Sequence, residues 1–304
     1  MEILFCGSGW LDIVDEIARR LPSTDRIRHW DRRRSLVDEL LSAPTDVILP
    51  SNGHVDARAI AAAAEHGLRL IQQPAAGTDA IDKAAAAARG IPVCNAPGAN
   101  QTAVAEAALL LLLLCARRWP AARASFEHGV IGSPLGVELA GSSLLVVGGG
   151  KTGSALASRA AALGMNVRMV TSSTTRAELL AALAQADAVS LHVPLSDDTR
   201  GMIDAEALAA MQPHAILVNV ARGPVIDRDA LQDALARGQL GGVGLDVYWQ
   251  EPWDPADPLY AHPRVVTLPH VAGSTTNAFD GIAAIVVENL TRLKRGDALL
   301  HRIA

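Results

Sequence analysis

Short apolar runs alternate with alanine-rich helical stretches along almost the whole chain. Near the start, EILFC (2–6), DVILP (46–50) and LRLIQ (68–72) read as strands. Around them, LDIVDEIARRL (11–21), VDARAIAAAAEHG (55–67) and AIDKAAAAARG (80–90) read as helices. Further on come SLLVVG (143–148), NVRMVT (166–171), AVSLHV (188–193), AILVNV (215–220) and GGVGLDV (241–247), again with helical segments between them. Strands that lack polar alternation are covered on both faces, which predicts parallel sheets. Strand–helix alternation then predicts doubly wound α/β units. Pro97, Gly98 and Asn100 break the pattern near 97–101. A second break at 274–277 offers capping residues for a last helix, NAFDGIAAIVVENLTRLKRG (277–296).

The most apolar stretch, AVAEAALLLLLLCA (103–116), is too short for a membrane span, carries Glu106 and runs into Arg117 and Arg118. It predicts a helix buried on most sides, in a core or a subunit interface. At 304 residues, with half of them hydrophobic, the chain has room for two domains with large cores. The net charge is −5 and no Lys/Arg-rich run occurs, which argues against nucleic acid or an anionic membrane as partner. Cys6, Cys94 and Cys115 show no CxxC spacing, so neither a disulfide framework nor a zinc site is expected, and no metal site of another kind is indicated. With no signal-peptide pattern in MEILFCGSGW, a reducing, cytoplasmic setting is expected.

SLLVVGGGKTGSALASRAAALG reads as strand, tight turn and helix. Gly148, Gly150 and Gly153 occupy the GxGxxG positions. The first allows the turn, the second lets backbone approach a pyrophosphate, and the third allows close helix–strand packing. The helix N-terminus, with Lys151 and Thr152, faces the phosphates. The segment therefore predicts dinucleotide binding. Cys6-Gly7-Ser8-Gly9 also follows a strand, but its third position is Asp12, and a plain turn is expected there.

Three further stretches each hold one isolated charged or titratable residue in apolar, turn-rich surroundings: Arg222 in ILVNVARGPVID, Glu251 in GLDVYWQEPWDP and His270 in VVTLPHVAGST. An Arg beside a strand end can clamp a carboxylate through two parallel hydrogen bonds. A His can pass a proton near neutral pH, and a neighbouring Glu would hold its tautomer. Taken singly, each also has a structural reading as a surface ion pair, a solvated loop residue or a cap. No GxSxG elbow occurs, which disfavours a serine hydrolase.

Nearly the whole chain resembles the D-isomer-specific 2-hydroxyacid dehydrogenases. The resemblance runs through AAGTDAIDKAAAAARGIPVCNAPGANQTAVAEAALLLLLL, VVGGGKTG, LHVPLSDDTRGMID, VNVARGPVIDRDAL, GGVGLDVYWQEP and TLPHVAGSTT. It implies a discontinuous architecture. A Rossmann nucleotide domain (99–276) would be inserted into a flavodoxin-like substrate domain (1–98 plus 277–304). It also implies that Arg222 binds the substrate carboxylate and polarises its carbonyl, that His270 is the acid/base, and that Glu251 pairs with it. Formate dehydrogenases of similar fold carry Gln at the Glu position, so Glu251 argues against formate.

By the same resemblance, the amides of Ala76 and Gly77 would hold the substrate carboxylate. Asn52 would form a pocket wall, although Ser-Asn-Gly is equally a turn signal. Asp246 would contact the nicotinamide amide, with Val220 and Ala221 beside the ring and Val193 and Pro194 on the adenine side. His192 has a structural role as an equal alternative. The helical arm over 100–130 would join two copies into a homodimer. The implied activity is D-specific reduction of a small 2-oxo acid, of the glyoxylate/hydroxypyruvate type. Alternatives are a superfamily dehydrogenase acting on phosphite or a bulkier 2-oxo acid, or a non-catalytic nucleotide sensor.

The resemblance places the usual ribose-binding Asp at Thr171, and no Asp or Glu occurs from 154 to 177. Thr171, Ser172 and Ser173 offer hydroxyls and Arg176 a guanidinium suited to phosphate, so NADP(H) is expected over NAD(H).

Overall fold

The computed structural model describes all 304 residues. In chain order the first stretch forms β1 (Glu2–Phe5), α1 (Leu11–Ala18), β2 (Arg26–His29), α2 (Leu36–Ser42), β3 (Val47–Leu49), α3 (Ala57–Glu65), β4 (Leu70–Gln72), α4 (Lys83–Ala87) and β5 (Val93–Cys94). Two helices follow, α5 (Gln101–Ala116) and α6 (Trp119–Glu127). Next come β6 (Ser143–Val147), α7 (Lys151–Ala162), β7 (Asn166–Val170), α8 (Arg176–Leu183), β8 (Ala188–Leu191), α9 (Ala205–Ala210) and β9 (Ile216–Asn219). A 3₁₀ turn at Gly223–Val225 leads to α10 (Arg228–Ala236), β10 (Gly242–Leu245) and β11 (Val265–Thr267), and α11 (Thr276–Arg295) ends the fold. The chain divides into two compact units, one of residues 1–100 with 274–304 and one of 101–273.

Every strand of the first unit is paired in parallel, in the order β2-β1-β3-β4-β5. That is a flavodoxin-like doubly wound order. The burial pattern explains the continuous apolar runs. On β1, Ile3 and Phe5 face α1 and α11, where Ile17, Ile282 and Val286 are buried. Leu4 faces the other way, with Leu40, Ile60 and Ala63 of α2 and α3. Since both faces are covered, both phases of the two-residue period are apolar. The edge strand β2, RIRH, has no fully buried residue. It alternates like an edge strand, which is why the apolar pattern passes over it. The last helix starts one residue before its sequence-read start; Thr275 Oγ1 accepts from the Ala278 amide at 3.2 Å, and Gly296 closes the helix at φ +76°.

The second unit is also an all-parallel sheet, in the order β11-β10-β9-β8-β6-β7. Leu145, Val147, Val189 and Leu217 pack on α8, α9 and α10. Leu144, Val146, Ile216 and Val218 pack on α5 and α7. The leucine-rich helix α5 is thus a core helix on one side, burying Leu111, Leu112 and Cys115, while Leu110 and Leu113 are exposed. No helix is long and apolar enough to cross a membrane. The three cysteines are free and buried. Burial pushes their thiols up to about 12 for Cys6, 11 for Cys94 and 12 for Cys115, which makes them poor nucleophiles at neutral pH.

Candidate active site

Strand β6 lies between β7 and β8, where the connections turn to opposite sides of the sheet. Ligands of doubly wound sheets collect at the carboxyl ends of strands at such a point. The glycine loop sits there, its ends pinned by Gly148 N–H to Val170 O (2.9 Å) and His192 N–H to Val147 O (2.7 Å). Gly148 has φ +114°, and a Cβ on it would lie 2.4 Å from the His192 carbonyl oxygen. A Cβ on Gly153 would lie 2.1 Å from the Gly148 carbonyl oxygen. Both positions therefore require glycine for the fold itself. Gly150 differs, since a Cβ there would meet nothing within 4 Å. Gly150 is also the N-cap of the twelve-residue helix α7 and makes no side-chain cap hydrogen bond. Backbone amides at a helix N-terminus, beside open space and next to exposed Lys151, fit a pyrophosphate. Thr171, at the end of β7, borders this loop; a Cβ on Gly149 would come 2.8 Å from its methyl group.

The hydroxyls after β7 are exposed and tied to one another, with Thr171 Oγ1 2.9 Å from Ser173 Oγ. Ser172 is exposed beside them. Arg176 is engaged elsewhere. Its guanidinium donates to Asp204 Oδ1 at 2.5 Å, Glu206 Oε2 at 3.0 Å and Met202 O at 2.7 Å. Asp204 and Glu206 cap and open α9, more than twenty-five residues along the chain, so the sequence around 171–176 does not show them. To meet a phosphate, Arg176 would have to leave these partners.

Beyond the switch point, β9, β10 and β11 are neighbours, and each delivers one candidate catalytic residue from its carboxyl end. Arg222 follows β9. The buried Asn219 shapes the turn, donating to the Arg222 carbonyl at 2.8 Å and accepting from the Ala221 amide at 3.0 Å. The Arg222 guanidinium donates to the Ala221 carbonyl at 2.7 Å. Gly223 lets this turn approach the next loop, since a Cβ on it would sit 2.1 Å from the Tyr248 carbonyl carbon. Val220 and Ala221 are buried in the same turn.

Glu251 lies in the loop after β10, which is braced by aromatic residues. Tyr248 packs on Trp253 with ring centroids 4.4 Å apart and meets Tyr260 edge-on at 5.1 Å. Trp249 Nε1 donates to the Ile226 carbonyl at 2.7 Å. Within that brace, Glu251 Oε1 accepts from the Tyr248 amide at 3.1 Å and Oε2 lies 2.7 Å from His270 Nδ1. A carboxylate only accepts, so Nδ1 carries a proton in this pair. Both side chains are about three-quarters buried, at 27% and 23% exposure.

Family membership follows from the sequence itself. The family model for the D-isomer specific 2-hydroxyacid dehydrogenase NAD binding domain matches residues 109–272. The chain belongs to the D-isomer-specific 2-hydroxyacid dehydrogenase family. It is an oxidoreductase of that type. A glyoxylate reductase of Korarchaeum cryptofilum is 39% identical over 276 residues, which is 86% of this chain and 80% of that protein. A D-3-phosphoglycerate dehydrogenase of Archaeoglobus fulgidus is 37% identical over 82% of this chain, but the match spans only 49% of that longer protein. An NADPH-dependent glyoxylate/hydroxypyruvate reductase of Sinorhizobium meliloti, solved with NADP and malonate, superimposes with a TM-score of 0.86 at 27% identity, covering 100% of this chain and 96% of the other.

The remaining site residues are placed as follows. Asn52, Ala76 and Gly77 belong to the first unit. Asn52 follows Ser51, which has φ +54°, and it locks the turn after β1. It accepts from the Ser8 amide and donates to Ser8 Oγ, both at 2.9 Å. Ala76 and Gly77 lie in the loop after β4, where Asn95 donates to the Ala76 carbonyl at 2.7 Å. Val193 is half-buried against the core of the second unit, and the Pro194 carbonyl accepts from Thr199 Oγ1 at 2.6 Å. His192 is held by Ser190 Oγ at 2.8 Å, and burial pushes its imidazole down to about 4, so it stays neutral at physiological pH. Asp246 is buried, and its oxygens accept from the amides of Val271 and Ala272 at 2.8 and 3.0 Å.

Proposed function

We propose that this family member reduces a small 2-oxo acid of the glyoxylate/hydroxypyruvate type to the D-2-hydroxy acid, with NADP(H) preferred over NAD(H). The observation that carries the reading is the 2.7 Å pair between His270 Nδ1 and Glu251, one strand away from Arg222. Nicotinamide dinucleotide bound at the glycine loop supplies the hydride for C2 of the substrate. The Arg222 guanidinium clamps the substrate carboxylate and draws electron density from the 2-oxo group. His270, protonated on both nitrogens, gives its Nε2 proton to the carbonyl oxygen as that oxygen gains charge. Hydride and proton together convert C=O to CH–OH, and the imidazole is left neutral with Nδ1–H still on Glu251. Reduction consumes a proton, so lower pH favours it. A nucleotide sensor would have no use for a proton donor paired with a carboxylate.

The cofactor preference rests first on Thr171 and Ser172, which stand where a carboxylate would repel a 2′-phosphate, and less on Arg176, which Asp204 and Glu206 hold. Solved structures of similar fold include both an NADPH-dependent and an NAD-dependent enzyme, so the choice rests on these side chains. The kcat/KM ratio for NADPH over NADH tests it: a ratio above one is expected in the wild type and in Arg176→Ala alike. An NADH preference would overturn it. Glyoxylate and hydroxypyruvate, assayed beside a phosphorylated 2-oxo acid, test the substrate class.

The reading includes a homodimer. Helix α6 buries no residue, and the segment through 137 exposes Phe126, Ile131 and Leu135 at 78%, 99% and 85%. Apolar exposure of that kind marks an interaction surface, and a second copy of the chain is the proposed cover. Light scattering on the eluting protein is expected to report twice the chain mass of 31.8 kDa. A clean monomer would remove the claim. The free buried thiols are in keeping with a cytoplasmic location.

A further inference from the structure

Tyr248 reaches both members of the Glu251–His270 pair from one position. Its amide donates to Glu251 Oε1 at 3.1 Å. Its hydroxyl, at the far end of the side chain, donates to the Leu268 carbonyl at 2.6 Å. The same carbonyl accepts the His270 N–H at 3.0 Å. A carbonyl oxygen has two lone pairs, so both donors are served. The turn that begins there carries the imidazole. His270 has φ +54°, a left-handed conformation that a residue with a Cβ keeps only where its surroundings enforce it. Pro269 and Val271, on either side of it, are exposed, so side-chain packing does not fix the turn. Hydrogen bonds do. The amides of Val271 and Ala272 are held on Asp246 after His270, and the Tyr248 hydroxyl acts before it, at Leu268. Tyr248 is itself immobilised. It is 4% exposed, its ring lies on Trp253 and meets Tyr260 edge-on, and burial pushes its phenol up, so the hydroxyl remains a donor. A phenylalanine ring would fill the same aromatic cluster. The hydroxyl is the part that packing does not need.

We infer that Tyr248 is a positioning residue for proton transfer: its hydroxyl fixes the Leu268 carbonyl and, through it, the turn that presents His270 to Glu251. The role rests on the proposed reduction for its kinetic readout only. A buried phenol also needs a hydrogen-bond partner for stability alone. The two roles separate by what the loss of the hydroxyl changes. Positioning acts through the imidazole, so its loss lowers kcat only while His270 is present. A purely structural hydroxyl costs the same whether the imidazole is there or not.

Tyr248→Phe removes one oxygen and keeps the ring against Trp253 and Tyr260. The Leu268 carbonyl keeps the His270 amide, so no buried group is left unpaired and the variant is expected to fold. Its kcat for 2-oxo acid reduction is expected to fall about three- to tenfold, the worth of one hydrogen bond, with substrate KM and cofactor Kd within about twofold of wild type. In a His270→Ala background the same substitution is expected to lower the residual kcat no further. An equal loss in both backgrounds would overturn the positioning role, as would a single variant that loses less than about threefold. Low-field proton NMR supplies an arm that needs no turnover. The wild-type resonance that disappears in His270→Ala reports the Nδ1 proton held on Glu251. It is expected to shift or broaden in Tyr248→Phe, and an unchanged resonance would overturn the role. Its absence from the wild type would overturn the Glu251–His270 pair, and the role with it. If the wild type reduces no 2-oxo acid, the proposed function fails while a displaced resonance in Tyr248→Phe still supports positioning.

Discussion

Replacing Glu251 with Gln removes one charge at a known distance from the imidazole and changes little else. The wild-type carboxylate serves two donors, the Tyr248 amide at 3.1 Å and His270 Nδ1 at 2.7 Å. A carboxamide has one accepting oxygen. If the oxygen stays on Tyr248, the N–H₂ group faces Nδ1 and cannot coexist with a proton there. If the amide flips, the N–H₂ group meets the Tyr248 N–H instead. Either orientation sets donor against donor. At 2.7 Å the lost attraction between imidazolium and carboxylate is about 1.5 kcal/mol at the dielectric of water and about 6 kcal/mol at an effective constant near 20. With about a quarter of each side chain exposed, solvent screening favours the lower part of that range. The lost hydrogen bond, charged on both sides, gives a similar figure of about 1.5–3 kcal/mol. Carried into the proton-transfer step, this is a fall in kcat of about 10- to 100-fold for 2-oxo acid reduction, followed by the loss of reduced-nicotinamide absorbance. Cofactor KM should stay near wild type, because Glu251 belongs to the proton donor rather than to the nucleotide loop. A variant within threefold of wild-type kcat would refute the assignment of Glu251 as the partner that holds the His270 imidazole.

Three further outcomes follow from the same geometry. Gly150→Ala should fold with an unchanged Tm yet weaken cofactor binding, because the added methyl enters open space at the N-terminus of α7; Gly148→Ala, pushed to 2.4 Å from the His192 carbonyl oxygen, should lower Tm as well, and equal effects on Tm would contradict this. Arg222→Lys keeps the charge but loses the planar fork, so kcat/KM for the 2-oxo acid should drop by about two orders of magnitude with cofactor KM held. Burial raises the Asp246 carboxyl from 3.8 to about 6. A raised folded-state value stabilises the protein below about pH 3.8, and that contribution is lost as pH rises through about 6. In urea unfolding, the stability of the wild type relative to Asp246→Asn should therefore decline by about 3 kcal/mol between acid and neutral pH. A difference independent of pH would contradict it.

Periodicity carried the fold where strands are central and failed where they are not. Ile3, Leu4 and Phe5 are all buried because helices cover both faces of β1, and such a run is legible in one dimension. RIRH is an edge strand whose partner, β1, lies more than twenty residues away, and VC is too short to show a period. The pairing of Glu251 with His270 is not visible in either stretch alone. Each is unremarkable in its own stretch, and their meeting depends on β10 and β11 being neighbours. The contacts of Arg176 and Asp246 were not legible, because their partners lie 25 or more residues along the chain.

The most direct test of the central claim is single-turnover reduction of glyoxylate or hydroxypyruvate by NADPH in the wild type and in His270→Ala. A general acid contributes about 10²- to 10⁴-fold. The variant is expected to lose rate in that range while binding NADPH as the wild type does. A variant that binds the cofactor and turns over at near wild-type rate would contradict the account.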